Sequence, residues 1–263
     1  MPTIIVNGEK LRYQLHYGAP RPDGPPLVLV HGAGGNLMHW PGELRRLPGH
    51  IVYTLDLPGH GKSGGTGWAE IGAYADVVRG FAEALGLVPF VLAGHSMGGA
   101  IALEFALRYP ARLVGLILVG TGAKLRVAPE ILTGIQDDLQ GTTELLAQWA
   151  HSEHVDPNLL RLYTRRLCEV DPQTLRADFL ACDAFDRRGE VSRIMTPTLI
   201  LCGDADRMTP VKYSQYLHEQ IAGSQLIVVP GAGHMVMLEQ PAAVSEAVAY
   251  FLTSLAKASG NNG

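Results

Sequence analysis

The sequence predicts an α/β fold, with a mostly parallel sheet covered by helices on both faces, an antiparallel hairpin at its N-terminal edge and a helical insertion. Three observations carry this. Continuous apolar runs such as Leu27-Val28-Leu29-Val30 and Leu113 to Val119 lack the polar alternation of a half-exposed strand and read as strands buried on both faces. Stretches with apolar residues at helical spacing alternate with these runs. The two N-terminal strand-like runs, Thr3 to Val6 and Leu11 to Tyr17, flank Asn7-Gly8, the dipeptide a two-residue hairpin favours.

In chain order, the segment Ala19 to Pro26 contains four prolines and reads as a surface loop before the strand Leu27 to Val30. That strand ends in His31-Gly32-Ala33-Gly34-Gly35-Asn36, and a helix is predicted from about Leu37 to Leu47. A strand from Ile51 to Leu57 closes on Asp56-Leu57-Pro58-Gly59-His60-Gly61-Lys62-Ser63-Gly64, followed by a long helix from Trp68 to Leu85. Phe90 to Ala93 is a further strand, and Ala100 to Tyr109 a helix that stops before Pro110. After Leu113 to Val119 the alternation breaks. Residues 122–191 read as four helices with no strand (Ala128 to Gln140, Thr142 to Ser152, Pro157 to Val170, Pro172 to Phe185). The strands Thr198 to Cys202 and Gln225 to Val229 enclose a helix from Val211 to Ile221, and a last helix runs from Ala242 to Leu255. The predicted organisation is therefore a core in two parts, 1–121 and 192–257, around a helical lid at 122–191, with a disordered tail at 258–263. No internal repeat is evident.

Composition narrows the function. At 263 residues and 47% hydrophobic, the chain can bury a substantial core. A net charge of −4 without basic clusters leaves no electrostatic footprint for nucleic acid, and no apolar run approaches the roughly 18 residues of a membrane span. Met1 to Val6 lacks the basic and apolar regions of a signal peptide. Cys168, Cys182 and Cys202 are odd in number and at no metal-ligand spacing, so reduced thiols, a cytoplasmic setting and no metal site are expected. Oligomeric state leaves no readable sign.

Chemistry concentrates around Ser96. It sits at a predicted strand-to-helix corner within Gly94-His95-Ser96-Met97-Gly98, where glycines two residues before and after allow strand and helix backbones to meet. Such a corner strains the serine, exposes its oxygen at the carboxyl end of the sheet and aims the amides of Met97 and Gly98 at a developing anion. The loop His31 to Gly35 ends a neighbouring strand and can bring the Ala33 amide to the same point, giving Ala33 and Met97 as candidate oxyanion donors, with His31 structural. Gly59 to Gly64 matches G-x-G-x-x-G literally. Pro58 before it, the late helix and the missing acidic partner argue against a dinucleotide site, and a solvated turn is expected.

A serine hydroxyl needs a base, and the base an orienting acid. The loops after the last two strands supply them: Gly203-Asp204-Ala205-Asp206-Arg207-Met208-Thr209-Pro210 offers Asp204 or Asp206, and Pro230-Gly231-Ala232-Gly233-His234 offers His234. His95 adjoins the nucleophile, where the turn points neighbouring side chains apart. His151 and His154, three apart, read as an exposed helix face rather than a metal pair.

The order Ser96, acid, His234, together with the His31-Gly32 loop and the Gly203 to Pro210 loop, resembles the α/β-hydrolase family over nearly the whole chain, in particular its small capped esterase-like members. The family pattern G-x-x-D-x-x-x-P places the acid at Asp206. The resemblance implies a serine hydrolase with Ser96, Asp206 and His234 catalytic, the Ala33 and Met97 amides as oxyanion hole, and no cofactor or metal. Substrate-pocket candidates are Gly32, Leu146, Trp149, Phe179 and Met208. The expected substrate is a small-molecule carboxylic ester of small to medium acyl chain, with no membrane or nucleic-acid partner. An enol-lactonase or carbon-carbon bond hydrolase is the alternative chemistry. A ligand-binding receptor with negligible turnover is the alternative from another class.

Overall fold

The structure, a computed structural model, describes residues 2–18 and 24–260. Eight strands form one sheet: β1 (Thr3–Val6), β2 (Glu9–Tyr17), β3 (Leu27–Val30), β4 (Ile51–Leu55), β5 (Phe90–His95), β6 (Leu113–Val119), β7 (Thr198–Gly203) and β8 (Gln225–Val229). Their spatial order is β1-β2-β4-β3-β5-β6-β7-β8; β1 and β2 pair antiparallel, β2 runs antiparallel to β4, and every later pairing is parallel. Among the described residues ten α-helices accompany them: α1 (Gly42–Arg45), α2 (Ile71–Ala84), α3 (Met97–Arg108), α4 (Pro129–Asp137), α5 (Leu139–Ala150), α6 (Pro157–Cys168), α7 (Pro172–Ala184), α8 (Val211–Gln220), α9 (Val236–Glu239) and α10 (Pro241–Gly260).

The continuous apolar strands feed two cores, one on each face. Within β3, Val28 and Val30 belong to the core that includes α2 and α3, whereas Leu27 and Leu29 belong to the one that includes α10 and the apolar faces of α4–α7. The four helices α4–α7 lie in sequence between β6 and β7 and carry no strand.

Several boundaries differ from the sequence reading for local reasons. The single helix expected over Leu37 to Leu47 is split into a 3-10 turn, Leu37–His39, and α1, because Pro41 offers no amide and restrains Trp40 before it. Asn36 caps the first piece by accepting from the Met38 N–H at 2.9 Å. Helix α2 starts at Ile71 rather than Trp68, whose N–H donates to the Tyr74 hydroxyl at 2.9 Å instead of entering the helix. Helix α5 starts earlier than expected, at Leu139, where Asp138 accepts from the Gly141 N–H. The expected disordered tail is helical through Gly260; its last residues, 261–263, and residues 19–23 of the expected surface loop lie outside the described residues.

One junction decides where the chemistry can sit. A Cβ placed on Gly94 would lie 1.9 Å from the Gly98 carbonyl oxygen, and one on Gly98 would lie 2.4 Å from the Val30 oxygen. Both contacts are with backbone, so neither can be relieved by a side-chain turn. Gly94→Ala is therefore expected to cost about 4 kcal/mol or more of folding stability, while Gly189→Ala, with nothing within 4 Å of the added methyl, stays within about 0.5 kcal/mol. Urea unfolding of the two variants checks the contrast; equal midpoints would refute it.

Candidate active site

The β5–α3 junction holds Ser96 at φ 54° and ψ −116°, left-handed backbone that a residue with a Cβ rarely adopts. The Ser96 N–H donates to the Val119 carbonyl at 2.9 Å, and the Thr121 hydroxyl donates to the Ser96 carbonyl at 2.8 Å, so the strained residue is pinned from the end of β6. Helix α3 begins at Met97, three residues earlier than its periodicity suggests, and its N-terminus points at the serine. The loop after β3 passes beside it: a Cβ on Gly32 would be 3.1 Å from the Ser96 Cβ. Among the described residues neither the Ala33 nor the Met97 N–H enters a hydrogen bond, leaving both donors unspent.

His234 follows β8 and is buried. Its Nδ1 donates to the Asp206 Oδ2 at 2.9 Å, which fixes the tautomer and leaves Nε2 as the bare nitrogen; Nε2 has no hydrogen-bond partner, Ser96 included. Ser96 and His234 line the same cavity. An open base-to-nucleophile contact is common before a substrate is bound. Asp206 also accepts from the N–H groups of Met208 and Thr209, at 2.9 and 2.8 Å, and from the Thr209 hydroxyl at 2.8 Å. Burial by itself would raise this carboxyl, but the His234 ring and these donors outweigh it and hold it below its ordinary value. Asp204 is exposed and accepts from the Gly231 N–H at 2.7 Å, a contact that ties two loops and does not reach the imidazole.

The cavity is small, about 60 Å³, and the rest of its lining is mostly apolar, with Arg126, His39 and His95 also in its walls. Gly32, Leu146, Phe179 and Met208 line it; Trp149 does not, and instead lines an adjoining cleft of about 400 Å³ that shares Val127, Leu146, Phe179 and Met208 with it. Four histidines depart from their sequence readings. His95 does not point away from the site: its ring lies 4.7 Å from that of His234, its Nε2 donates to the His234 carbonyl at 3.0 Å, and it lines the cavity. His151 is buried at the end of α5, against Tyr163, and His154 lies in the loop beyond, so the pair forms no exposed helix face. His60, in the expected solvated turn, is buried as well, because its partner is buried.

That partner is Asp178 of α7, which the sequence reading missed. It accepts from the Gly34 N–H at 2.8 Å, from the Tyr74 hydroxyl at 2.6 Å and from His60 Nε2 at 2.7 Å. His60 Nδ1 faces the Pro58 carbonyl at 2.9 Å, so both ring nitrogens meet acceptors and the ring is held as imidazolium. Burial opposes that charge, but Asp178 outweighs it and raises the ring above its ordinary value. The loop carrying Ala33 is thus fastened to the α4–α7 insertion. The legible sign was an acidic residue on the apolar face shared by Leu175, Phe179 and Cys182. His31 is structural, accepting from the Leu57 N–H at 3.1 Å and donating to the Gly32 carbonyl at 2.8 Å. Among the described residues no group of three or more His, Cys, Asp or Glu side chains could hold a metal ion, and no helix is long and apolar enough to cross a membrane.

A parallel sheet with a serine on a strained strand-to-helix corner, facing a histidine and an acid from later strand ends, defines the hydrolase class of α/β proteins. The family model described as the alpha/beta hydrolase family matches residues 27–247, and the chain belongs to that family. It is 31% identical over 245 residues, 86% of this chain and 92% of the other, to the pimeloyl-[acyl-carrier protein] methyl ester esterase of Yersinia enterocolitica. Among solved structures it is similar to a thermophilic esterase, with TM-score 0.85, 32% identity and 97% of each chain covered. The enol-lactonase of Burkholderia xenovorans superposes with TM-score 0.88 over 96% of this chain and all of the other; at 23% identity that likeness speaks to the fold alone.

Two outcomes are expected. Asp178→Asn, which leaves a buried imidazolium without its counter-charge, should cost about 3–5 kcal/mol in calorimetric or urea unfolding. Second, burial drives His31, His39 and His95 below their ordinary values, His39 to about 3. A lowered folded-state value means that the unfolded chain takes up protons first, so this stability is complete above about pH 6.5 and is lost as pH falls towards 3. Asp206 adds to the loss at the acid end; His60, raised, acts in the opposite sense and loses its contribution as pH rises. His16, His50 and His151 are lowered by burial as well, and with six lowered rings against one raised, Tm should fall between pH 7.5 and 4.5; a flat or rising Tm would contradict the neutral burial of these rings.

Proposed function

We propose that this chain is a serine hydrolase that cleaves carboxylic esters of small to medium acyl chain through an acyl-enzyme. The observation that carries the reading is the joint geometry at one cavity: a left-handed Ser96 at the N-terminus of α3, and a His234 whose Nδ1 is committed to Asp206 while Nε2 stays free. His234 Nε2 takes the Ser96 proton as the oxygen attacks the ester carbonyl, and Asp206 stabilises the imidazolium that forms. The Ala33 and Met97 amides receive the oxyanion, a contribution worth roughly 100- to 1,000-fold in rate per donor. The alcohol leaves with the proton from His234. Water, activated by the same ring, then attacks the acyl-serine and releases the acid, which restores the Ser96 hydroxyl.

Neither step calls for a cofactor. The small apolar cavity favours short acyl groups, and relatives described as esterases support ester over lactone or carbon-carbon cleavage. The α4–α7 helices act as the lid, since Leu146 and Phe179 roof the cavity. Free Cys168, Cys182 and Cys202 suit a cytoplasmic setting.

Replacing Ser96 with Ala should abolish both fluorophosphonate labelling and turnover, and Asp206→Asn should lower kcat by about 10⁴-fold with the fold intact. On p-nitrophenyl esters the rate should peak at short acyl chains. A dominant rate on an enol-lactone or a vinylogous diketone would shift the assignment to lactonase or carbon-carbon hydrolase, and tight binding with negligible turnover would favour a receptor.

A further inference from the structure

Three clefts meet at Arg126: the catalytic cavity, the adjoining apolar cleft, and a groove of about 450 Å³ lined by Ala123, Lys124, Arg126, Arg188, Lys212, Tyr213 and Tyr216. Residue 126 is shared by all three. The short segment from Ala123 to Val127 forms the wall between groove and cavity, with Ala123 and Lys124 facing the groove and Leu125 and Val127 the cavity.

Every charged lysine, arginine or carboxylate side chain that lines these clefts is a cation: Lys124, Arg126, Arg188, Lys212 and, at the apolar cleft, Arg207. Among the described residues no Asp or Glu lines any of them, although the chain carries 25 acidic residues against 21 Lys and Arg. Clefts elsewhere on the surface have carboxylates in their walls, Glu43 and Glu246 in one, Asp156 and Glu239 in another. The bias is therefore local to the mouth of the site.

Neutralisation from behind is incomplete. Asp186 serves both Lys124 and Arg188, at 2.9 and 2.7 Å, and Asp183 spends an oxygen on the Val127 N–H at 3.2 Å. Arg126 and Lys212 enter no ion pair among the described residues; Lys212 Nζ sits 6.0 Å from the centre of the Tyr213 ring. Arg207 is held by the carbonyls of Gln148 and His151, which leave its charge in place. Cations of one sign around a low-dielectric cleft concentrate anions there.

We infer that this cationic groove receives an anionic oxygen group, a carboxylate or a phosphate, on the substrate at a distance from the scissile ester, with Arg126 as the residue that bridges groove and cavity. The inference rests on the serine-esterase reading and narrows its substrate class to esters that carry an acid. Arg126 and Lys212 bind and orient; they take no part in bond making. The two tyrosine rings flank the cations and offer apolar walls to the chain that joins the acid to the ester.

Matched substrates test it. Monomethyl adipate against dimethyl adipate probes a carboxylate, and the butyryl ester of glycerol 3-phosphate against monobutyrin probes a phosphate, with acid release followed for the native chain and for the doubly substituted Arg126→Gln, Lys212→Gln protein. In at least one pair the anionic member should lead by about tenfold in kcat/KM, mainly through KM, and the lead should shrink towards unity in the substituted protein and near 1 M salt, where the Debye length is about 3 Å. The pair that shows the lead names the anion. Members within about threefold of each other in both pairs, or a lead that survives the substitutions, would overturn the inference. Calorimetric titration of Ser96→Ala with monomethyl adipate and with glycerol 3-phosphate reads the groove independently of turnover. If no ester is hydrolysed, the esterase reading has failed, yet anion binding weakened by the two substitutions still supports the groove and its absence refutes it.

Discussion

Helix α3 lies so close to β5 that no side chain fits at residue 94, and so close to the end of β3 that none fits at residue 98, and these two backbone contacts are what the rest of the site depends on. The chain can turn from strand to helix in that space only if the residue at the apex enters the left-handed region, which costs Ser96 about 1–3 kcal/mol. Such strain persists where neighbours over-determine it. Here the Val119 carbonyl holds the Ser96 N–H and the Thr121 hydroxyl holds its carbonyl, while the buried strands on either side, β3 and β6, fix the position of β5. The helix dipole, the loop after β3 and the carboxyl ends of β7 and β8 all converge on the apex because the parallel sheet brings its strand ends to one edge.

Loops at that edge cannot be held by strand pairing, so buried carboxylates hold them. Asp56 accepts from the N–H groups of Leu37 and Lys62, at 2.8 and 3.0 Å, and thereby ties the end of the β3 loop to the turn after β4. Asp178 does the same from the other side for Gly34, Tyr74 and His60. A buried carboxylate is costly when under-satisfied and rigid when its acceptor sites are filled, and both of these are filled. The loop after β3 that carries Ala33 is consequently placed by charge-assisted bonds from two directions, rather than by its own flexible glycines.

The parallel sheet, the strand bounds of β6 and β8 and the Ser96 corner were legible because each is a local pattern: a continuous apolar run, or glycines at fixed offsets from a serine. What was not legible depends on distant partners. Nothing near His60 announces that a carboxylate 118 positions later will bury it. A histidine beside polar and glycine residues reads as a surface turn until that partner is known. His95 was misread because the corner does not carry its ring away from the site: the ring packs against that of His234, which arrives from the end of β8. Trp149 has the size and polarity of a pocket residue, but its position on α5 relative to the cavity depends on how four helices stack, and periodicity carries no such information. The short helix after β3 was overextended because apolar spacing outlasts the break that Pro41 imposes.

The same polar contacts determine which part of the insertion can yield. Moving α7 would strip Asp178 from three donors and unpair a buried imidazolium, a cost of about 3–5 kcal/mol. The end of α5 is fastened to the core as well, where the Met235 N–H donates to the Ala150 carbonyl at 2.9 Å and the Ser152 N–H to Glu239 at 3.0 Å. Helix α4 differs: among the described residues no hydrogen bond joins it to any other element, and Ile131 and Ile135 hold it by apolar packing. Apolar contacts can slide or part at less cost than a filled carboxylate, since no donor is orphaned when they do. The cleft that shares its walls with the catalytic cavity runs beside α4, past Ala128 and Ile131. Access to Ser96 is therefore expected along α4, with α7 remaining as the fixed wall that keeps the loop after β3 in place while the entrance opens.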